Sequence, residues 1–444
     1  MAGGGGQGRL RRELGVFGAV MMGLGSIVGT GVFVSIGVAA GVAGPAVIVA
    51  IALAGLVAMC NALSSAQLAA NHSVSGGTYE YGYKYLHPSL GFTAGWMFLC
   101  AKSASAATAS LGFAGYLLHV LGRGGGGGLP WLGIAAVVVL TGIVLTGMRR
   151  SNVTNIIIVT VTLAALGAFV VAGLPTLLDS GGAHMTPFFA APNDGAVGDA
   201  RGFLYATALM FVAYTGYGRI ATLGEEVKDP SRTIPRAIVM TLIVSATLYM
   251  AVGIVAVGTV GAEALSAAAE RDAAPLEVVA RRFAIPGLPG VVAVGAITAM
   301  LGVLLNLILG LSRVLLAMGR RGDMPAATAR LDAAGRTPYV AVVVIGVLIA
   351  GLAATGSVKT TWSFSAFTVL IYYAITNLAA LRLTRAERLF SAAFSWAGLI
   401  GCLFLAFWVE WRIWLTGVAL IAGGLVWHVL RRRAAGPGDG GSGV

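Results

Sequence analysis

Apolar positions in this chain fall into long runs rather than an alternating pattern. Stretches of about 20 residues, enough to cross a bilayer as helix, lie near 14–40, 45–69, 91–121, 129–148, 153–174, 203–223, 236–260, 288–316, 338–355, 361–382, 389–409 and 412–430. Short polar segments separate them, so the pattern predicts an all-α membrane protein with 12 transmembrane helices. The segments 14–174 and 203–382 each hold five runs. Five is odd, so the second set begins from the opposite side of the membrane, which makes an inverted repeat. Residues 383–430 append helices 11 and 12, between tails at 1–13 and 431–444. The connections 175–202, an outer loop, and 261–287 are long enough for short surface helices or a lid.

Two of the runs are interrupted. Gly23, Gly25, Gly29 and Gly31 crowd the first, and each glycine costs a helix roughly 1 kcal/mol relative to alanine. Ala213-Tyr214-Thr215-Gly216-Tyr217-Gly218 interrupts the sixth. Hydrocarbon cannot hydrogen-bond the backbone groups such breaks free, so non-helical backbone survives at that depth only around a cavity. Matched breaks in two halves point to a substrate site. At the first, the N–H groups of Thr30, Gly31 and Val32 are expected to form the positive end of a restarted helix, a natural seat for a carboxylate. At the second, the carbonyls of Val212, Ala213 and Thr215 are expected to accept from an ammonium. Donors on one side and acceptors on the other suit an α-amino acid zwitterion. Close helix packing through small residues is the structural alternative for either glycine set alone.

Composition agrees with a membrane solvent: 57% of residues are hydrophobic and 10% charged. The net charge of +12 is scattered over short loops, which fits topology better than a nucleic-acid partner. Placing the N-terminus inside gathers Arg9, Arg11 and Arg12, Arg149 and Arg150, the Lys228–Arg236 and Arg313–Arg336 loops, and Arg431–Arg433 on the cytoplasmic side. Both termini are then cytoplasmic in the cell membrane. The polar start runs into a full span without a cleavage site, so that span is expected to be retained. The terminal glycine run and the tail from Ala434 read as disordered. Cys60, Cys100 and Cys402 lie in apolar runs and form no disulfide framework.

The run Gly23–Gly31 has no strand before it and the wrong spacing for a dinucleotide loop. The glycine loop 122–128 lacks a phosphate cradle, and no HExxH, GxSxG or CxxC motif occurs. An enzyme is not supported, and no cofactor or metal is expected.

Four ordered motifs carry a family resemblance: Gly25–Phe33, Ser75–Tyr81, Phe211–Pro235 with Gly224–Pro230, and Ser312-Arg313 through Gly322-Asp323-Met324-Pro325. They resemble the amino acid–polyamine–organocation superfamily over nearly the whole chain, closest to bacterial proton-coupled permeases and cationic amino acid transporters. The resemblance implies a LeuT-type 5+5 inverted repeat with broken helices 1 and 6, working by alternating access. It implies a substrate carboxylate at Thr30 and Gly31 beside Ile27 and Gly29. It sets the amine on the carbonyls of Val212, Ala213 and Thr215 near Gly216, and the side chain against Tyr214, Asn306 and Leu307.

Two departures bear on the coupling ion. Thr162 stands where related proton-coupled members carry a fifth-span lysine, and Gly218 where they place an acid. Every carboxylate falls in a loop or at a span end. Lys102 lies eleven residues past Gly91, roughly 16 Å into a core about 30 Å thick, with Ser105 on its face. Burying an ammonium at that depth costs about 3 kcal/mol or more, so Lys102 is the candidate proton carrier, with a fixed cation holding helices together as the alternative. By the register the resemblance implies, a sodium site would want hydroxyls in the eighth span at positions held here by Gly302 and Val303, with Thr298 a turn away, so hard-cation ligands are sparse.

Arg219 is expected to snorkel or pair with Glu225 or Glu226, or to attract an anionic side chain. Trp96, Trp131, Trp362, Trp408, Trp411 and Trp414 read as interfacial belts. Tyr79–Tyr85 reads as an amphipathic inner-surface helix that helps gating, and Lys228, Arg232 and Arg236 as a solvated face open to anionic lipid. His72, His87 and His184 form no metal cluster. Without an acid in the membrane a cationic substrate is disfavoured. Proton-coupled uptake of a neutral amino acid comes first and an anionic one second. Exchange, sodium symport and a transporter-like nutrient sensor are the alternatives. The expected partners are a small amino acid, H+ and membrane lipid.

Overall fold

The computed structural model describes residues 14–72, 76–123, 128–147, 152–180, 182–189, 195–221, 227–332 and 337–434. Expectations for the terminal glycines, Arg9, Arg11 and Arg12, Ser75, the glycines at 124–127, Arg149 and Arg150, Glu225 and Glu226, Arg336 and the tail beyond 434 lie outside the described residues.

The described chain is helical, with one isolated β-bridge between Leu14 and Val227. Its helices are α1 (Val16–Ile27), α2 (Ile36–Ala43), α3 (Val47–Asn71), α4 (Thr78–Tyr85), α5 (Pro88–Val120) and α6 (Leu129–Leu145). Then come α7 (Asn152–Asp179), α8 (Gly195–Tyr214), α9 (Gly218–Ala221), α10 (Pro230–Val260), α11 (Ala262–Asp272) and α12 (Pro275–Ala280). The chain ends with α13 (Leu288–Arg320), α14 (Tyr339–Ala353), α15 (Val358–Leu381), α16 (Ala392–Ala406) and α17 (Trp411–Ala434). Within the described residues each apolar run of the sequence falls mainly on helix. Among the described residues, 6 helical segments are both long and apolar enough to cross a membrane, and α1, α6, α14 and α16 are shorter apolar helices. The connection 261–287 holds the short helices α11 and α12, as its length predicted.

Helix α5 runs through the middle of the bundle and packs on α13, α15, α6 and α4. Its central stretch Ala101–Ala109 is wholly buried and, Lys102 apart, made of alanine, serine and threonine. Small residues let helices approach when lipid offers no hydrophobic drive between them. Hydroxyl pairs then join α5 to α15: Ser105 to Ser365 at 2.7 Å and Thr108 to Thr361 at 2.7 Å. A second polar seam joins α3, α15 and α16, where Asn377 donates to Asn61 and Ser64 meets Ser395 at 2.8 Å. At the expected outer end, Tyr116 donates to the carbonyl of Phe33 at 2.8 Å and accepts from the amide of Leu276 in α12 at 3.3 Å. Beside it, His119 lies 2.8 Å from the buried carboxylate of Glu277.

One aromatic was misassigned by sequence. Trp362 is no interfacial residue: it is 3% exposed and donates from Nε1 to the carbonyl of Leu209 at 2.9 Å. It stands one turn inside α15, where hydropathy cannot distinguish a helix end facing lipid from one surrounded by neighbours. Trp131 and Trp411, by contrast, are 73% and 55% exposed.

Two of the sequence motifs meet at Asp323. This buried carboxylate accepts from Tyr79 at 2.7 Å and from Tyr83 at 2.7 and 2.9 Å, and His428 of α17 stands 3.1 Å away. Burial first, then the Asp323 charge, pushes the Tyr79 phenol far above its ordinary value; burial and the bond to Asp323 do the same for Tyr83. Both therefore stay protonated and donate. Arg321 lies over both rings and pairs with Glu80. The helix α4 is thus fastened to the end of α13 and to α17. Asp323→Ala leaves the buried hydroxyl of Tyr79 without its acceptor, at about 1–3 kcal/mol, and the half-buried hydroxyl of Tyr83 as well. We expect a clearly lower melting temperature in detergent, with Tyr83→Phe milder. Wild-type melting of Asp323→Ala would show that the junction holds nothing.

Candidate functional site

Both interruptions are real, and they touch. The first helix ends at Ile27, Val28 turns to extended backbone at ψ 102, and a π-helical turn Gly31–Ser35 restarts the chain into α2. The second is shorter than a fully unwound stretch: α8 ends at Tyr214, a 3₁₀ turn covers Thr215–Tyr217, and α9 follows. A Cβ on Gly216 would sit 2.2 Å from the carbonyl oxygen of Ser26, and one on Gly31 would sit 2.5 Å from Cβ of Ala213. Only glycine permits these approaches. Asn155 of α7 fixes the first break from another side, donating to the carbonyl of Met21 at 2.9 Å.

The freed polar groups are partly spoken for. Val32 N–H, expected to be free, donates to Gly29 O at 3.1 Å. The three carbonyls expected to receive an ammonium already accept from hydroxyls: Val212 from Thr215 at 2.7 Å, Ala213 from Tyr249 at 3.3 Å, and Thr215 from Tyr373 at 3.1 Å. The bundle's own hydroxyls therefore already bond the carbonyls expected to be bare. Tyr249 also donates to Ile27 O at 2.8 Å, bridging the two breaks. Sequence reasoning missed both tyrosines. Their signal was a phenol deep inside an apolar run, where its O–H requires a partner.

A cavity of about 40 Å³ lies between the breaks. Ile27, Thr30, Gly31, Val212, Ala213, Thr215, Gly216 and Leu307 line it as expected, and so does Lys102. Ser26, Ser105, Val303 and Trp362 complete the lining and were not predicted as site residues. Gly29, Tyr214 and Asn306 do not line it. Gly29 backs onto α13, where a Cβ would meet Val303 at 2.8 Å. Tyr214 turns toward α3, donating to Ile51 O at 3.2 Å and packing on Tyr249. A larger cavity of about 220 Å³ by His184, α10, α11 and α12 contains none of the broken-helix backbone.

Two polar side chains in the cavity matter most. Thr30 Oγ1 is buried with no hydrogen-bond partner among the described residues. Lys102 Nζ, on a side chain 7% exposed, donates to Thr215 Oγ1 at 2.7 Å. Two further threonines considered from the sequence bond within their own helices. Thr162 donates to its own helix at Ile158 O (2.8 Å), and Thr298 does likewise at Val294 O (2.8 Å). Arg219 is half-buried in α9 and does not line the cavity.

The profile of the family described as amino acid permease matches residues 18–434, and the chain belongs to that family. It is a multi-pass membrane protein, as its apolar helices require. It is 39% identical to an uncharacterised transporter of Mycobacterium tuberculosis, over 95% of this chain and 92% of the relative. It is 28% identical to the methylthioribose transporter of Bacillus subtilis and 26% identical to that organism's branched-chain amino acid permease BcaP, each over 96% of this chain and 94% of the relative. All are named as transporters or permeases rather than enzymes. The resemblance drawn from the four motifs therefore holds.

The glycine contacts give a sharp contrast. Gly216→Ala drives a methyl into a backbone carbonyl, an overpacking of about 1–3 kcal/mol, and we expect both the melting temperature and uptake into vesicles to fall severely. Gly218→Ala, whose Cβ would meet Tyr373 Oη at an ordinary 3.5 Å, is expected to leave both near wild type. Equal behaviour of the two variants would contradict the close crossing.

Proposed function

We propose that this permease is a secondary active transporter that takes up an amino acid together with a proton by alternating access. In this proposal residues 14–174 and 203–382 form a LeuT-type five-plus-five inverted repeat, two further spans follow, and both termini face the cytoplasm of a cell-membrane carrier. The observation that carries it is the contact of two interrupted helices around one cavity whose lining holds Thr30, Gly31 and the break carbonyls. The substrate carboxylate meets the Thr30 and Gly31 end, where helix-terminal amides and the unpartnered Thr30 hydroxyl favour an anion. The α-ammonium is drawn to the carbonyls of Val212, Ala213 and Thr215 at the second break. Rocking one repeat against the other then exposes the cavity alternately to each side.

Lys102 is the proton carrier in this proposal. It lies against the second break and reports its state to the moving backbone through Thr215. Sodium is disfavoured because Gly302 and Val303 provide no oxygen side chain for a hard cation. The apolar walls at Ile27, Val303, Leu307 and Trp362, with no carboxylate among the lining residues, favour a neutral or anionic side chain over a cationic one.

The test is uptake of a labelled amino acid panel by reconstituted vesicles free of internal substrate. Acid outside is expected to accelerate uptake, and replacing sodium by choline is expected to change nothing. Lys102→Met should abolish the pH dependence. Uptake by that variant with the wild-type pH profile would remove Lys102 from coupling, and uptake only into vesicles preloaded with amino acid would make the protein an exchanger.

A further inference from the structure

The cavity contains a single charged side chain, and it is a cation. Lys102 Nζ has one hydrogen bond, to Thr215 Oγ1 at 2.7 Å, whereas an ammonium has three donors. No carboxylate lines the cavity, and Lys102 forms no ion pair among the described residues. Its same-face neighbour Ser105 already has a partner in Ser365 at 2.7 Å, so it does not complete the amine's set. The titratable and charged groups at the break begin with the phenols Tyr214, which donates to Ile51 O, and Tyr217, which packs on Tyr373. Tyr249 and Tyr373 follow, donating to the carbonyls of Ala213 and Thr215, and Arg219 lies just beyond the break, outside the cavity lining. No imidazole, thiol or carboxylate is among the lining residues.

Electrostatics then discriminates between substrates. A zwitterion with a neutral side chain has no net charge, so its binding would leave an unpaired ammonium in a water-poor interior, where isolated charge is costly. A substrate with an acidic side chain carries one net negative charge and neutralises the loaded site. A cationic side chain would set two like charges together.

Resting on the amino acid uptake proposed above, we infer that the substrate has an anionic side chain and that Lys102 selects it. The side-chain carboxylate takes the two unused N–H donors of the Lys102 ammonium while the backbone groups of the two breaks hold the α-carboxylate and α-ammonium. When the carboxylate leaves toward the cytoplasm, Lys102 again lacks a counter-ion and passes its proton to water there. One proton then accompanies each anionic amino acid. This moves the anionic class ahead of the neutral one that the sequence placed first.

The experiment pairs isosteres: labelled L-aspartate with L-asparagine and L-glutamate with L-glutamine, in vesicles holding the full-length protein. Wild type is expected to favour each acid over its amide by about tenfold or more, the worth of one charge-assisted hydrogen-bond pair. Lys102→Gln should erase that preference through loss of the acid. Lys102→Arg keeps the charge without a releasable proton and should retain the acid preference while losing pH dependence, which separates selection from coupling. If a variant transports nothing, ligand-induced shifts of the melting temperature in detergent read the same preference. An amide taken up as well as its acid by wild type, or an acid preference that survives Lys102→Gln in uptake or melting, overturns this inference and leaves amino acid transport standing. Failure of wild type to take up any member of the wider amino acid panel would overturn the transport proposal itself.

Discussion

The bundle is organised by one steric constraint, the meeting of two backbones at Gly216 and Ser26 with Gly31 and Ala213 beside them. A side chain at either glycine would collide with its neighbour. Because the helices cross that closely, neither can continue undisturbed, and the chain breaks into extended and π-helical backbone on one side and a 3₁₀ turn on the other. Apolar surroundings make each released carbonyl expensive unless it is bonded. The crossing therefore creates both the cavity and the need for polar groups around it.

How that need is met decides what is left to bind. Tyr249, Tyr373 and Thr215 supply one hydroxyl each to carbonyls of the second break, and Tyr249 also reaches the first at Ile27. These bonds hold the two breaks in register. The Thr30 hydroxyl and the Lys102 amine retain unused donor capacity. The candidate site is thus the set of polar atoms that the bundle's own hydrogen bonding does not exhaust. It joins three separate elements: the first break, the second break and the centre of α5.

Charge is distributed in a way that gives this site its leverage. The buried acids Asp323 and Glu277 stand at the two ends of the bundle, each with an imidazole nearby. Asp323 ties α4 to α17, and Glu277 lies in α12 beside the contact of Tyr116 with Phe33. Among the described residues that line the cavity, Lys102 is the one charged side chain, so no other charged group there offsets a change in its charge.

Much of this was legible in the sequence because the controlling rule is local. Hydrocarbon forces backbone to pair with itself, so apolar runs become helices, and glycines in such a run mark where helix cannot persist. The sequence alone therefore determined the helical runs, the two breaks and the family. It did not determine which way each helix is turned about its axis. The spans are apolar on nearly every side, so hydropathy has no stripe to point inward, and rotation follows from packing against neighbours. Only the tertiary structure decided that Lys102 meets Thr215 and that Tyr214 turns to Ile51 while Tyr249 and Tyr373 cap the breaks. Packing likewise set Gly29 against Val303 and brought Trp362 into the cavity wall, because these are contacts between residues far apart in the chain.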